Sequence, residues 1–253
     1  MYQKFSVQDK VIIVTGASRG LGFAYAWHLA KCGAKVAICS HGAEGLQMAQ
    51  KRFSDEGLSV FAQVVDVSDS AAVERFVDSV QAEYGRIDAL INNAGVLLRR
   101  TLEEMTEAEW DYIMDTNVKG TFLFAQAVGK YMIQQGGGSI VNIASIGGKV
   151  ALGRRLGYCT SKAAVEHFTK VLADEWGKYQ VRVNAIAPGY IKSDMNADLR
   201  ADPVMYQQMV SDVSLGRFGE PEDLVCTAIF LCSEASSFVT GQTIYVDGGK
   251  TTH

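Results

Sequence analysis

An α/β fold, one doubly wound parallel sheet with helices on both faces, is what the sequence predicts, on three observations. Short apolar runs alternate with helix-like stretches from one end of the chain to the other. The runs are solidly apolar rather than alternating, so their strands are buried on both faces. The stretches between them are long enough for helices, so consecutive strands pair in parallel through right-handed crossovers. The expected product is a three-layer α/β/α sandwich forming a single domain over residues 1–253.

The elements follow in order. Val11–Val14 is a first strand ending at Thr15-Gly16. Leu21 to Cys32 reads as a helix, with Leu21, Ala24, Trp27, Leu29 and Ala30 apolar and Gly33 as its stop. Val36–Cys39 is a second strand and Ala43 to Phe53 a helix. Val60–Val65 is a third strand, after which Ser68 or Asp69 can cap a helix reaching about Tyr84. Ala89–Ile91 is a fourth strand, followed by a long helix from about Glu107 to Gln134. Ser139–Ala144, Tyr158–Tyr179 and Val181–Ala187 make a strand, a helix and a strand. Pro221–Cys232 is a helix opened by proline, a favoured first-turn residue, and Thr243–Val246 is the last strand. Residues 191–215 carry Ser, Asp, Asn, Met and Pro between two firm elements. That composition suits either a mobile lid over a site or an ordinary surface excursion.

Composition excludes several classes. The chain is 48% hydrophobic and 21% charged, ordinary globular usage, with a net charge of −4. A general nucleic-acid or anionic-membrane binder would carry a basic surface. No apolar run near the N-terminus is long enough for a signal peptide or a membrane span, which points to a cytoplasmic protein. The five cysteines, Cys32, Cys39, Cys159, Cys226 and Cys232, lack C-x-x-C spacing and read as free thiols in a reducing compartment, with no metal site.

Gly16-Ala17-Ser18-Arg19-Gly20-Leu21-Gly22 follows the first strand and opens the first helix. Glycines at this spacing let the backbone turn tightly and approach a pyrophosphate, and the helix N-terminus offers N–H groups and a positive dipole. A dinucleotide is therefore the expected cofactor. The end of the second strand, Ser40-His41, has no carboxylate to accept from a ribose 2′-hydroxyl. Ser40 and His41 can donate to a 2′-phosphate instead, with Arg19 over it, which favours NADP(H) over NAD(H). Equally, His41 is a solvated loop residue and Arg19 a surface cation.

Tyr158 and Lys162 stand at i and i+4 on a predicted helix, one turn apart on one face. A free phenol has a pKa near 10. An ammonium ~4 Å away at an effective dielectric of ~20 would stabilise phenolate by ~4 kcal/mol, or ~3 pH units, which brings tyrosine into range as an acid/base. Such a pair is also a common helix packing pair, so its company matters. Ser145 follows the fifth strand; Gly16, Asp66 and Asn93 also fall just beyond strand carboxyl ends, where ligands of such sheets bind. A Ser145 hydroxyl can donate to an oxygen where charge develops. Asn117 falls mid-helix, where asparagine is unfavourable, and is either functional or a solvent-facing amide.

These motifs together resemble the short-chain dehydrogenase/reductase family, single-domain type, along essentially the whole chain. The resemblance implies a Rossmann-like fold and a hydride exchanged between a nicotinamide and a carbonyl/alcohol pair. Asn117, Ser145, Tyr158 and Lys162 match the family's catalytic tetrad. Tyr158 would exchange the proton with substrate oxygen and Ser145 would hold that oxygen. Lys162 would lower the tyrosine pKa and hold the nicotinamide ribose, and Asn117 would support a water relaying protons from Lys162. Asp66 and Val67 match the adenine contact, Asn93, Ala94 and Gly95 the fourth-strand signature, and Pro188 and Gly189 the turn beside the nicotinamide. Backbone at Ile191 and the Ser193 hydroxyl would meet the carboxamide. The family also implies a homotetramer or homodimer through the helices at about 107–134 and 158–179.

The substrate is less determined. Arg99-Arg100 lie past the fourth strand and Arg154-Arg155 lie between Ser145 and Tyr158. Guanidinium groups bind carboxylates bidentately. With Asp174-Glu175-Trp176 and Ala187-Pro188-Gly189-Tyr190, this pattern is similar to family members acting on gluconate, deoxygluconate and related acids. The expectation is a small-molecule substrate, a sugar acid or polyol, with Arg100, Arg154 and Tyr190 among its contacts. The arginines are equally readable as solvated or as oligomer contacts. A 3-oxoacyl thioester reductase shares every catalytic motif and is the alternative; a non-catalytic dinucleotide sensor would lack the tyrosine or the lysine.

Overall fold

The computed structural model describes residues 3–193 and 196–252. Seven strands, β1 (Val11–Thr15), β2 (Lys35–Ser40), β3 (Val60–Val64), β4 (Ala89–Asn92), β5 (Gly138–Ile143), β6 (Val181–Pro188) and β7 (Thr243–Val246), form one sheet in the order β3-β2-β1-β4-β5-β6-β7. Every pair is parallel, as the unbroken apolar runs required. The strand order reverses direction between β1 and β4, and the crevice at that switch point is where such sheets take ligands.

Successive residues of β1 face opposite layers. Ile12 and Val14 join a core with α1 (Gly20–Lys31), α2 (Ala43–Asp55) and α9 (Glu222–Cys232). Val11 and Ile13 join a second core with α3 (Ser70–Tyr84), α5 (Gly120–Gln134) and α6 (Leu156–Trp176). The strands at the two edges differ from the expectation of burial on both faces. β3 and β7 are only partly buried, because each has a neighbour on one side alone. Of the two candidate caps before α3, Asp69 takes the role, accepting from the N–H groups of Ala71 and Ala72. Ser68 bonds Asp66 instead.

Two predicted elements are built otherwise. The single helix expected over 107–134 is α4 (Glu107–Met114), a π-helical turn over Asp115–Lys119, then α5. The π turn is centred on Asn117, and such turns gather at functional sites. The segment 191–215, expected to be irregular, contains α7 (Ala197–Ala201) and α8 (Pro203–Ser211); Asp194 and Met195 lie outside the described residues. Asp202 caps α8 from the N-cap position, and Pro203 follows in its first turn. Asp-Pro was the missed start signal. Tyr206 of α8 stacks on Phe218, with ring centroids 5.1 Å apart, and Phe218 stacks on Tyr190 at 5.6 Å.

A buried polar chain ties the carboxyl ends of β4 and β5 to the helices. Asn92 donates to the Thr121 carbonyl on α5 and to Asn142 Oδ1 on β5 at 3.0 Å. Asn142 in turn donates to Thr169 Oγ1 on α6 at 2.9 Å. Replacing Asn142 takes one hydrogen bond from each of two buried partners, Asn92 and Thr169, at a cost of about 0.5–1.5 kcal/mol each. Asn142→Leu should therefore lower the denaturant midpoint markedly with an unchanged slope. An unchanged midpoint would show that the chain contributes nothing to holding α5 and α6 in place.

Candidate active site

The glycine turn is assembled by side chains of the two central strands. Thr15 Oγ1 accepts from the N–H groups of Asn93 and Ala94 at 3.0 and 2.9 Å. Asn93 Nδ2 returns bonds to the carbonyls of Thr15 and Gly16. Gly16 has a φ of +63°, and a Cβ there would lie 2.8 Å from Ala94 Cα. A Cβ at Gly22 would overlap the Asn93 amide and the Gly16 carbonyl. The N-terminus of α1 carries no side-chain cap, so its first N–H groups remain open to a ligand. An anionic pyrophosphate fits this cradle on both counts. Gly20 and Leu21 begin α1, and exposed Arg19 precedes it.

At the adenosine end, Ser18 and Ser40 share a hydroxyl–hydroxyl hydrogen bond of 3.0 Å, and His41 is exposed just past β2. Asp66 accepts from the hydroxyl and the N–H of Ser68, which hold its carboxyl below the usual range with smaller help from His41 and Lys119. Val67 is buried, and its side chain fills the space over Gly120. Beyond β6, Gly189 donates to the Val246 carbonyl at 3.0 Å, and Ile191 is buried and bridged to Gly219. Ser193 is half-buried, its N–H bound to Asn196 Oδ1.

The four tetrad positions converge between β4, β5 and α6. Ser145 caps a short turn after β5, and its Oγ accepts from the Gly147 N–H at 3.1 Å. That bond leaves the hydroxyl proton for another acceptor. Tyr158, in the first turns of α6, hydrogen-bonds Ser145. Lys162 is buried, its Nζ donating to the Ile143 carbonyl at 2.7 Å and lying 5.7 Å from the Tyr158 ring centroid. Asn117 is buried, not solvent-facing. Its amide brackets Val96, accepting from the N–H at 2.8 Å and donating to the carbonyl at 3.0 Å. It also donates to Ser161 Oγ at 2.9 Å, and Ser161 donates to the Tyr158 carbonyl at 2.7 Å. Gly95 sits between them: a Cβ there would lie 3.3 Å from Asn117 Oδ1 and 3.4 Å from Lys162 Nζ. Ser161 is the member the sequence reading missed; a serine beside Lys162 on the face turned from solvent was its signal.

The electrostatics differ from the expectation of a simple lowered phenol. Burial pushes the Tyr158 phenol above its ordinary value, the Ser145 bond pulling the other way. Burial pushes Lys162 down to about 8. Lys162 Nζ donates to the Ile143 carbonyl, and burial is the largest influence on both groups.

The arginines lie at the rim. Arg100 N–H bonds the Arg154 carbonyl, joining the loops after β4 and β5. Arg100 pairs with Glu109 at 3.0 Å and Arg154 with Glu104 at 3.1 Å, both guanidinium groups largely in solvent. Arg99 pairs with Asp198 of α7 at 3.0 Å, so this arginine bridges to the 191–215 segment. Tyr190 is half-buried against Phe218.

A family model described as enoyl-(acyl carrier protein) reductase matches residues 16–251. The chain belongs to the short-chain dehydrogenase/reductase family. It is 42% identical over 247 residues to the gluconate 5-dehydrogenase of Gluconobacter oxydans strain 621H, covering 98% of this chain and 96% of that one. It is 38% identical over 247 residues to an NAD-dependent glycerol dehydrogenase of Listeria innocua, covering 98% and 96%. Its backbone superposes with a TM-score of 0.94 on a gluconate 5-dehydrogenase from Burkholderia cenocepacia J2315 in complex with NADP and tartrate, at 36% identity over 99% of this chain and 98% of that one. The enzyme is thus an NAD(P)-dependent oxidoreductase acting on alcohol and keto groups. Among its described residues, no helix is long and apolar enough to cross a membrane.

The buried lysine yields a stability prediction. The folded ammonium releases its proton near 8, the unfolded one near 10.5. The folded state therefore bears a charge-burial penalty below about pH 8 that fades as pH rises towards 10.5. Lys162→Met should stabilise the protein at pH 7 by roughly 1–2 kcal/mol, after loss of the Ile143 hydrogen bond, while turnover collapses. The gain should shrink by pH 9.5. Melting curves across pH check this, and a destabilised variant at pH 7 would contradict it.

Proposed function

We propose that the enzyme exchanges a hydride between NADP(H), in preference to NAD(H), and the carbonyl or secondary alcohol of a sugar acid or polyol. The observation that carries the reading is the hydrogen-bonded Ser145–Tyr158 pair one turn from buried Lys162, at the switch point of the sheet. The glycine turn (Gly16, Ser18, Arg19, Gly20, Leu21, Gly22), Ser40, His41, Asp66, Val67, Asn93, Ala94, Gly95, Pro188, Gly189, Ile191 and Ser193 are the residues assigned to the dinucleotide. When bound, its nicotinamide supplies or accepts the hydride.

The residues handle the proton and the oxygen. Ser145, its own oxygen occupied by the Gly147 N–H, donates to the substrate oxygen and orients it beside Tyr158. Tyr158 gives its proton to that oxygen in reduction and takes it in oxidation. As phenolate forms, it provides the counter-charge that buried Lys162 lacks, and the lysine provides the counter-charge the phenolate needs. Asn117 holds Val96 and Ser161 in place around this pair. The α7–α8 segment acts as the cover, latched through Arg99–Asp198.

The substrate class rests on the arginine rim together with the gluconate and glycerol dehydrogenases among the relatives. A carboxylate competes with Glu104 and Glu109 for Arg154 and Arg100. Exposed Tyr112, Phe122 and Val171 on α4, α5 and α6 support a homo-oligomer, a tetramer or dimer, through those helices.

Assay of sugar acids, neutral polyols and acetoacetyl thioesters with each dinucleotide should find turnover among the first two classes. Tyr158→Phe should lose about 10²–10⁴ in kcat with dinucleotide affinity kept. Arg154→Ala should raise the KM for an acidic substrate severalfold and leave that for a neutral polyol unchanged. Turnover confined to thioesters would replace the substrate class, and an unchanged KM would remove Arg154 from the site.

A further inference from the structure

We propose that Glu166 is a positioning residue: together with Tyr245 it sets the turn that carries Ser145 against the helix that carries Tyr158 and Lys162. The inference deepens the proton-handling reading above and rests on it.

The Ser145–Tyr158 pair joins two separate pieces of chain. Ser145 caps the short turn Ile146–Gly148 after β5, and Tyr158 belongs to α6. Glu166 stands one i, i+4 step past Lys162 on α6, on the stripe that already carries Tyr158 and Lys162. Its Oε2 accepts from the Tyr245 hydroxyl of β7 at 2.9 Å. Its Oε1 is sealed from water and has no hydrogen-bond donor among the described residues. What Oε1 meets is the turn: a Cβ at Gly148 would overlap it and would lie 3.2 Å from the Ala163 backbone nitrogen of α6. Glycine there lets the turn seat directly on the carboxyl and on the helix backbone. Gly148 donates to the Ser145 carbonyl at 2.9 Å, so the seat is one hydrogen bond from Ser145 itself. Lys149, the next residue, holds the far side of the turn. Its ammonium lies 4.9 Å from the Tyr245 ring centroid and donates to the Thr251 carbonyl at 3.3 Å.

A buried acceptor without a donor costs free energy, and an apolar side chain of similar size would avoid that cost. Burial accordingly pushes the Glu166 carboxyl above its ordinary value, against the Tyr245 hydrogen bond and the charges of Lys170 and Lys149. An apolar side chain could fill the space under Gly148 but could not take the Tyr245 hydroxyl. That bond keeps the carboxyl from swinging off the turn. The arrangement serves placement rather than stability. A Ser145 hydroxyl shifted from its place is a weaker donor to the substrate oxygen, since hydrogen bonds fall off with distance and angle.

The test is a double-mutant cycle of Glu166→Ala with Ser145→Ala, with Tyr245→Phe as the milder probe. The kcat is read with the sugar acid, polyol or acetoacetyl thioester that the wild type turns over fastest, and the Kd of NADPH and NADH by nucleotide fluorescence. Ser145→Ala alone should lose about 10²–10³ in kcat. Glu166→Ala should lose about tenfold and Tyr245→Phe about threefold, with both dinucleotide Kd values unchanged. On the Ser145→Ala background neither should cost more, the double variants staying within about twofold of Ser145→Ala. A group acting only through overall stability would lower kcat equally on both backgrounds. Losses that multiply in full would therefore overturn the positioning role and leave the proton-handling reading standing. So would wild-type kcat in Glu166→Ala, or in Tyr245→Phe if Glu166→Ala does not fold. Full activity in Ser145→Ala would overturn both.

Discussion

One buried ammonium organises this site. Lys162 reaches the end of β5 and finds the Ile143 carbonyl, the acceptor of its single hydrogen bond among the described residues. A lone neutral acceptor compensates a buried charge poorly, so the lysine sits in a place that favours any anion formed beside it. The phenol one turn earlier on α6 is in the mirror situation, its burial opposing ionisation. Each group alone is pushed towards its neutral form; together, as phenolate and ammonium, they relieve each other. The sheet and helices exist around this pair in the sense that its geometry needs β4, β5, α5 and α6 all held in register, which the Asn92–Asn142–Thr169 chain does from beneath.

The π turn completes the arrangement. A regular helix across Asp115–Lys119 would carry Asn117 round with the 3.6-residue period. The extra residue in the turn instead places it against Val96 and Ser161, where its amide uses both its oxygen and its nitrogen. The loop carrying Gly95 is thereby pinned next to Lys162, so that a methyl group at Gly95 would press on Asn117 Oδ1 at 3.3 Å and touch the ammonium at 3.4 Å. The site is held by small polar contacts among Asn117, Val96, Ser161 and Tyr158.

Much of this was legible in the residues. Unbroken apolar runs separated by helical stretches implied a parallel sheet, and its strand ends then had to collect Gly16, Asn93 and Ser145. The i, i+4 spacing of Tyr158 and Lys162 placed them on one helical face. What periodicity could not show was the π turn, because one extra residue leaves apolar spacing in α4 and α5 almost unchanged. Nor could it show the edge exposure of β3 and β7, which depends on strand order rather than on local pattern. The helices α7 and α8 were hidden by polar composition, although Asp202-Pro203 marked the start of the second. The depression of the Tyr158 pKa that a nearby cation implies at a surface-like dielectric is opposed here by burial, which dominates both partners.

The most direct measurement is the titration of Lys162 itself, by NMR of the protein with ¹⁵N-labelled lysine side chains. The account predicts a Lys162 ammonium that gives up its proton near pH 8, well before the surface lysines. A Lys162 that keeps its charge past pH 10, in step with the exposed lysines, would mean that its burial imposes no charge penalty, and the mutual relief with Tyr158 would have no basis.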